Sequence, residues 1–187
     1  MDALILAGGK SSRMGGEHKG SLSMGEETFT AHLVSQLKPL ADKLWISYGE
    51  TVQQEIDGCT IVRDEYIDCG PMGGLHAGLK ACSSDILLVA ACDMPLLKRD
   101  LYDHMLELLL DYDGVVPVTD GQMHPLAAIY TKALFPIMEQ ALKDGNFRLR
   151  SALEQANIRY VDVPQFNTML SNINTKEEYQ AFLKQYH

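Results

Sequence analysis

Ile86-Leu87-Leu88-Val89-Ala90-Ala91-Cys92, followed at once by Asp93-Met94-Pro95, is the stretch that decides the fold. Seven apolar residues without a polar break do not alternate, so neither face of the strand they form meets water. That is the mark of a strand inside a largely parallel sheet covered on both sides. Such a sheet needs helical crossovers between its strands.

The flanks supply them. Upstream, Leu75, Leu79 and Cys82 recur at helical spacing behind a glycine cluster, Gly70-Pro71-Met72-Gly73-Gly74. Downstream, Leu101, Met105 and Leu108 face inward from a helix over 99–110, which Asp111-Tyr112-Asp113 and Gly114 stop. Further strands are expected over 2–7, 44–48, 59–63, 115–118, 126–130 and 159–163, with a polar loop over 119–122. Thr28 is suited to cap a helix over 29–38 with Phe29, Leu33 and Leu37 on one face, and Thr131 a helix to Lys143 that Pro136 kinks. Short helices follow over 148–156 and 175–185, the second opened by Thr175 and Glu178 at capping-box spacing. The segment 165–170 reads as a surface loop in which Phe166 and Met169 serve either contact or packing. With no repeat and no low-complexity linker, the chain is α/β, a three-layer α/β/α sandwich around a mostly parallel sheet, in a single domain over 1–187.

Bulk properties narrow the function. The 187 residues carry a formal net charge of −9, which argues against a nucleic-acid surface that works by counterion release. No apolar run approaches the ~20 residues of a membrane span, and the N-terminus lacks a basic, then apolar, leader, so the cytoplasm is the expected location. Cys59, Cys69, Cys82 and Cys92 contain no C-x-x-C pair and the six histidines no H-E-x-x-H, so thiols are expected and a structural metal site is not.

In such folds ligands bind beyond the carboxyl ends of the strands. Past the first strand lies Leu6-Ala7-Gly8-Gly9, then Lys10, Arg13, Gly15-Gly16 and Lys19. Glycines let several N–H groups converge on one anion, and the cations supply charge. Neither G-x-x-x-x-G-K-[ST] nor G-x-G-x-x-G can be laid on these residues, so the loop is either another kind of phosphate loop or only a turn. Asp64 falls past the third strand and is read equally as a ligand group or a solvated carboxylate. Asp93, held at the end of the buried run, is placed to offer a hard oxygen to Mg2+ or to start a turn. Cations with a magnesium carboxylate describe phosphoryl or nucleotidyl transfer.

The order Leu6-Ala7-Gly8-Gly9, Arg13-Met14-Gly15-Gly16, Lys19-Gly20, Gly70-Pro71, Cys92-Asp93-Met94-Pro95, His124-Pro125 and Asn172-Ile173-Asn174-Thr175 resembles the molybdenum cofactor guanylyltransferases over nearly the whole chain. The resemblance implies a Rossmann-like nucleotidyltransferase fold. It implies GTP and molybdenum-molybdopterin as substrates, Mg2+ as cofactor, and a protein that delivers or receives the cofactor as a possible partner. It implies catalytic roles for Arg13, Lys19 and Asp93. Leu6, Ala7, Gly8, Gly9, Lys19, Asp64 and Asp93 would bind the nucleotide, and Asp93 the metal. Related cytidylyltransferases usually read L-A-A-G at the first motif, so Gly8 is expected to leave room for a purine. Two positions depart from the family: His18 stands where an Asp is common, and Ser47 where an Asn often contacts the nucleotide. Asn174 is a possible further metal contact or a helix cap, and His124 a cofactor-side or a structural histidine. The alternatives kept open are a CTP-dependent or sugar-phosphate nucleotidyltransferase and a nucleotide-binding module without chemistry.

Overall fold

The computed structural model describes residues 1–8, 19–49 and 55–186, except the side chains of Lys19 and Tyr186. Strand β1 (Asp2–Leu6) is buried along its whole length. A 3-10 turn (Lys19–Ser21) and a two-stranded ribbon, β2 (Ser23–Met24) with β3 (Glu27–Thr28), lead into α1 (Phe29–Leu37). Thr28 caps α1 as expected, its hydroxyl accepting from Ala31 N at 3.2 Å.

Strands β4 (Lys43–Ser47) and β5 (Cys59–Val62) precede α2 (Pro71–Ala81), β6 (Ile86–Ala91) and α3 (Arg99–Leu109). Then come β7 (Gly114–Thr119), β8 (Gln122–Met123), β9 (Ala127–Thr131), α4 (Leu134–Lys143), α5 (Leu149–Leu153), β10 (Ile158–Asp162), a 3-10 segment (Pro164–Leu170) and α6 (Lys176–Tyr186). The main sheet runs β10-β7-β9-β6-β1-β4-β5, with β8 added to β7. All neighbours pair parallel except β9, which is antiparallel to both β6 and β7, and the β7–β8 hairpin. The turn at Asp120-Gly121, with φ of 50° and 74°, reverses the chain after β7. The short connection that follows cannot make a crossover, so β9 enters antiparallel.

Alternate residues of β1 and β6 face opposite layers. Ala3, Ile5, Leu88 and Ala90 pack under α1 and α3; Leu4, Leu6, Leu87 and Val89 pack under α2 and α4. This is the expected α/β/α sandwich. A third cluster joins Phe29 to Tyr179 and Phe182 of α6, edge-on at 5.8 and 5.5 Å.

Four expectations need correction. The 119–122 stretch is a hairpin rather than a loop, because Asp-Gly supplies two positive-φ residues. Thr131 does not cap α4: it ends β9, and its N–H and hydroxyl both donate to Asp113 O. Pro136 does not kink α4, since it falls in the first turn, where its missing N–H has no helical partner to lose. On α3 the buried face is Leu101, Tyr102, Met105 and Leu109, and Leu108 is half-buried. Phe166 packs against the core and against the His104 ring, at 5.8 Å between centroids. None of the four cysteines forms a disulfide, and no described helix is long and apolar enough to cross a membrane.

Candidate active site

Four strand ends are held level at one edge of the sheet. Leu6 is in register with Ser47 on one side and Ala91 on the other, and Ser47 with Val62. Beyond the ladder, Ala7 N donates to Ser47 O at 2.8 Å and Cys92 N to Leu6 O at 3.0 Å. Leu6-Ala7-Gly8, Asp64 and Asp93 therefore converge there, as the strand pattern predicts. Gly20 fits between Thr30, Ala7 and Cys92, and its carbonyl accepts from the Thr30 hydroxyl at 2.9 Å. The chain at Gly20 thus returns beside Ala7 and Cys92, although the Lys19 side chain, Gly9, Lys10, Arg13 and His18 lie outside the described residues.

Asp64 is half-buried and lines a small cleft with Tyr48, Gly49, Ile61, Val62, Arg63 and Ile67. Burial pushes its carboxyl pKa up; the Ser47 hydroxyl, donating to Oδ1 at 2.7 Å, and more weakly His76 oppose the rise. Helix α2 approaches closely because its first turn is bare: a Cβ on Gly74 would stand 2.8 Å from Ser47 Oγ, and one on Gly73 2.6 Å from Tyr66 O. Sequence reasoning read these glycines only as a helix start. A glycine pair at that point in a helix was the signal available for more, since glycine costs ~1 kcal/mol there unless something must come near.

Asp93 is half-buried at the end of β6, in a turn where Met94 N donates to Ala91 O at 3.1 Å. Its carbonyl accepts from Ile173 N at 2.7 Å, so the Asn172–Asn174 run packs alongside. The expected capping box fixes that run: Glu178 Oε2 accepts from Asn174 N at 2.6 Å and Thr175 N at 3.0 Å, and Glu178 N donates to Thr175 Oγ1 at 3.1 Å. Among the described residues no three His, Cys, Asp or Glu side chains gather to form a metal cage. A single carboxylate of this kind suits a divalent ion that takes most of its ligands from water and substrate.

His124 stands at the same edge, in the hairpin beyond β7. Its Nε2 is 2.7 Å from Thr119 Oγ1, and burial lowers its pKa. The ring is fixed within its own hairpin, which favours the structural reading.

A family model described as the MobA-like NTP transferase domain matches residues 3–161. The chain belongs to that family. It is therefore a nucleotidyltransferase. A probable molybdenum cofactor guanylyltransferase of Clostridium perfringens is 32% identical, covering 97% of this chain and 96% of its own. The molybdenum cofactor guanylyltransferase of Pseudomonas putida is likewise 32% identical, over 95% and 94% of the two chains. The crystal structure of molybdopterin-guanine dinucleotide biosynthesis protein A from Archaeoglobus fulgidus superposes with a TM-score of 0.81 at 23% identity, over 100% and 96% of the chains. The 2-C-methyl-D-erythritol 4-phosphate cytidylyltransferase of Thermus thermophilus does so with a TM-score of 0.77 at 14% identity, over 99% and 98%. The MobA-like fold is thus shared by enzymes named for different bases.

That bears on Gly8. In this MobA-like transferase a Cβ on Gly8 would lie 2.8 Å from the carbonyl carbon and oxygen of Tyr48 and 2.9 Å from Gly49 N. The space a methyl would take belongs to the chain's own β4 turn, where Gly49 has φ +72°. The purine argument for Gly8 is corrected accordingly: the glycine answers a backbone approach.

Proposed function

We propose that this chain transfers the guanylyl group of GTP to the terminal phosphate of the molybdenum-molybdopterin cofactor, giving its guanine dinucleotide form and pyrophosphate, and that residues 1–187 act as one domain. The names of the relatives support the acceptor and the base. The observation that carries the chemistry is the hydrogen bond from Cys92 N to Leu6 O, which sets the Asp93 turn against the Leu6-Ala7-Gly8 turn.

In this reading the backbone of Leu6 to Gly9 lines the nucleotide, and Asp64 accepts from donors of the nucleoside. Arg13 binds the phosphates, and Lys19 offsets the negative charge that grows at the α-phosphorus. An oxygen of the acceptor's phosphate forms the new bond to that phosphorus as the bond to the bridging oxygen of pyrophosphate breaks. Asp93, with the Asn174 segment packed alongside, is the group that would hold Mg2+, which would supply positive charge to offset the negative charge of the phosphates. The enzyme works in the cytoplasm, and a protein that hands over the cofactor is its natural partner.

Calorimetry with GTP, CTP, ATP and UTP, with and without Mg2+, on the wild type and Asp93→Ala tests this. GTP-selective binding that weakens without Mg2+, and turnover of the cofactor lost by at least ~100-fold in Asp93→Ala, is the expected result. CTP preference would replace the base assignment, and unchanged turnover in Asp93→Ala would remove the metal role.

A further inference from the structure

We infer that Ser47 is a positioning residue for nucleotide binding: seated in the space that Gly74 leaves open, its hydroxyl fixes the Asp64 carboxylate in the orientation that the nucleoside meets. The inference rests on the reading of this edge as a nucleotide site, and goes beyond it by assigning Ser47 to Asp64 instead of to the base.

Ser47 is the last residue of β4 and is 2% exposed. It is held on both sides, by register with Leu6 and Val62 and by its carbonyl accepting from Ala7 N. A hydroxyl so fixed has little freedom, and at 2.7 Å from Asp64 Oδ1 it makes a short, charge-assisted bond. Asp64 itself follows β5 and is only half-buried, so without that bond its carboxylate would rotate.

Two of the three glycines of α2, Gly73 and Gly74, leave room for this pair. A Cβ on Gly74 would meet Leu6 Cδ2 at 2.7 Å, Ser47 Oγ at 2.8 Å and Ser47 Cβ at 3.3 Å, and one on Gly73 would meet Tyr66 O at 2.6 Å and Asp64 Oδ2 at 3.3 Å. Glycine weakens a helix relative to alanine, and at Gly74 the close approach that requires it is to Leu6 and Ser47 together. A carboxylate held this way offers only acceptor lone pairs, so it takes a donor edge: the N–H groups of a base or the hydroxyls of a ribose. Because its orientation is set before binding, less freedom is lost when the ligand arrives.

The test is a double-mutant cycle on the full chain with GTP as the probe, read by calorimetry and by the separate values of KM and kcat. Ser47→Ala should raise the GTP Kd and KM about tenfold, the size of one lost charge-assisted hydrogen bond, with kcat within about twofold. In the Asp64→Asn background Ser47→Ala should add little, because its effect passes through Asp64. Ser47→Cys keeps the volume but donates weakly, so it should behave like the alanine variant, and Gly74→Ala should resemble both. In Ser47→Ala the acid limb of GTP binding should move to higher pH, because the bond that pulls the Asp64 pKa down is gone. Full multiplication of the two losses would overturn the inference, as would Ser47→Cys binding like wild type, which would make the role one of packing. Wild type that binds GTP while Ser47→Ala matches it removes this inference alone; wild type that binds no nucleotide removes the functional reading beneath it as well.

Discussion

Gly8→Ala separates two explanations of the first motif. The new methyl would stand 2.8 Å from the Tyr48 carbonyl carbon and oxygen and 2.9 Å from Gly49 N, all of them backbone atoms. Ordinary contact begins near ~3.4 Å, so the Gly8 turn or the β4 turn must give by about half an ångström, and a strand end cannot swing aside as a flexible side chain does. Overpacking of this kind costs ~1–3 kcal/mol, which for a chain of this size lowers Tm by roughly 2–10 °C. The displaced turn is also the one expected to line the nucleotide. GTP affinity should therefore fall by about tenfold or more, and CTP affinity should not rise to replace it. Melting curves and calorimetry with both nucleotides on the same samples make the measurement. An unchanged Tm with a switch towards CTP would refute the reasoning, because it would mean that the methyl projects into base space and not into the chain's own turn.

Three other perturbations follow from the same geometry. Asp2, fully buried at the far end of β1, pays a desolvation cost but accepts from Ser83 N, Ser83 Oγ, Ser84 Oγ and Trp45 Nε1, which together hold its pKa down from 3.8 to about 2. That gap is worth about 2 kcal/mol present above pH ~4 and lost as pH falls through the folded value, so Asp2→Asn should be destabilised at pH 7 and the deficit about halved at pH 3 in urea unfolding. His76 is buried between Tyr66, edge-on at 5.1 Å, and Phe135, stacked at 5.0 Å, with neither ring nitrogen partnered among the described residues. Burial lowers its pKa against the pull of Glu65 and Glu139 and with the push of Lys80 and Lys143, so the unfolded chain takes the proton first. The wild type should lose stability below pH ~6.5 while His76→Phe is flatter there. Leu110, 73% exposed at φ 40° and ψ −121°, holds a strained backbone for a side chain that is mostly exposed; Leu110→Gly should raise Tm by ~1–3 °C.

The layers were legible because the unbroken apolar run of β6 requires cover on both faces, and the helical spacings of α2 and α3 supply it. The direction of β9 was not. Ala127–Thr131 reads as a strand whichever way it runs, and what reverses it is Asp120-Gly121, a two-residue turn inside a stretch that looks like plain polar loop. Thr131 misled for a related reason: a threonine before a helix usually caps it, but here the Asp113 carbonyl, just before β7, accepts from both its N–H and its hydroxyl. The strand-end rule alone put Asp64 and Asp93 at this edge of the sheet. The Ser47 bond was not legible, because it joins residues 17 apart across two strands and only the register of β4 on β5 brings them together.

That register also explains why the edge divides in two. The chain steps from β1 to β4 and β5 on one side and returns to β6, then to β7, β9 and β10 on the other, so the strand order reverses between β1 and β6. Ligands collect at such a reversal because the connections leave it in opposite directions and open a crevice. Leu6 and Cys92, joined by a hydrogen bond, sit on that line, and Asp93 follows directly. The hydroxyl that holds Asp64 comes from Ser47 at the end of β4, and Tyr48 and Ile67 line the same small cleft. On the opposite flank, the antiparallel entry of β9 replaces a crossover helix with the hairpin that carries Thr119 and His124. On the proposed function, a nucleoside held by Asp64 would direct its phosphates towards Asp93, and an acceptor in line with the leaving pyrophosphate would then approach from the hairpin side. Substitutions at Ser47 or Gly74 should accordingly change the KM for the nucleotide and spare that for the acceptor; equal changes in both would contradict this division of the edge.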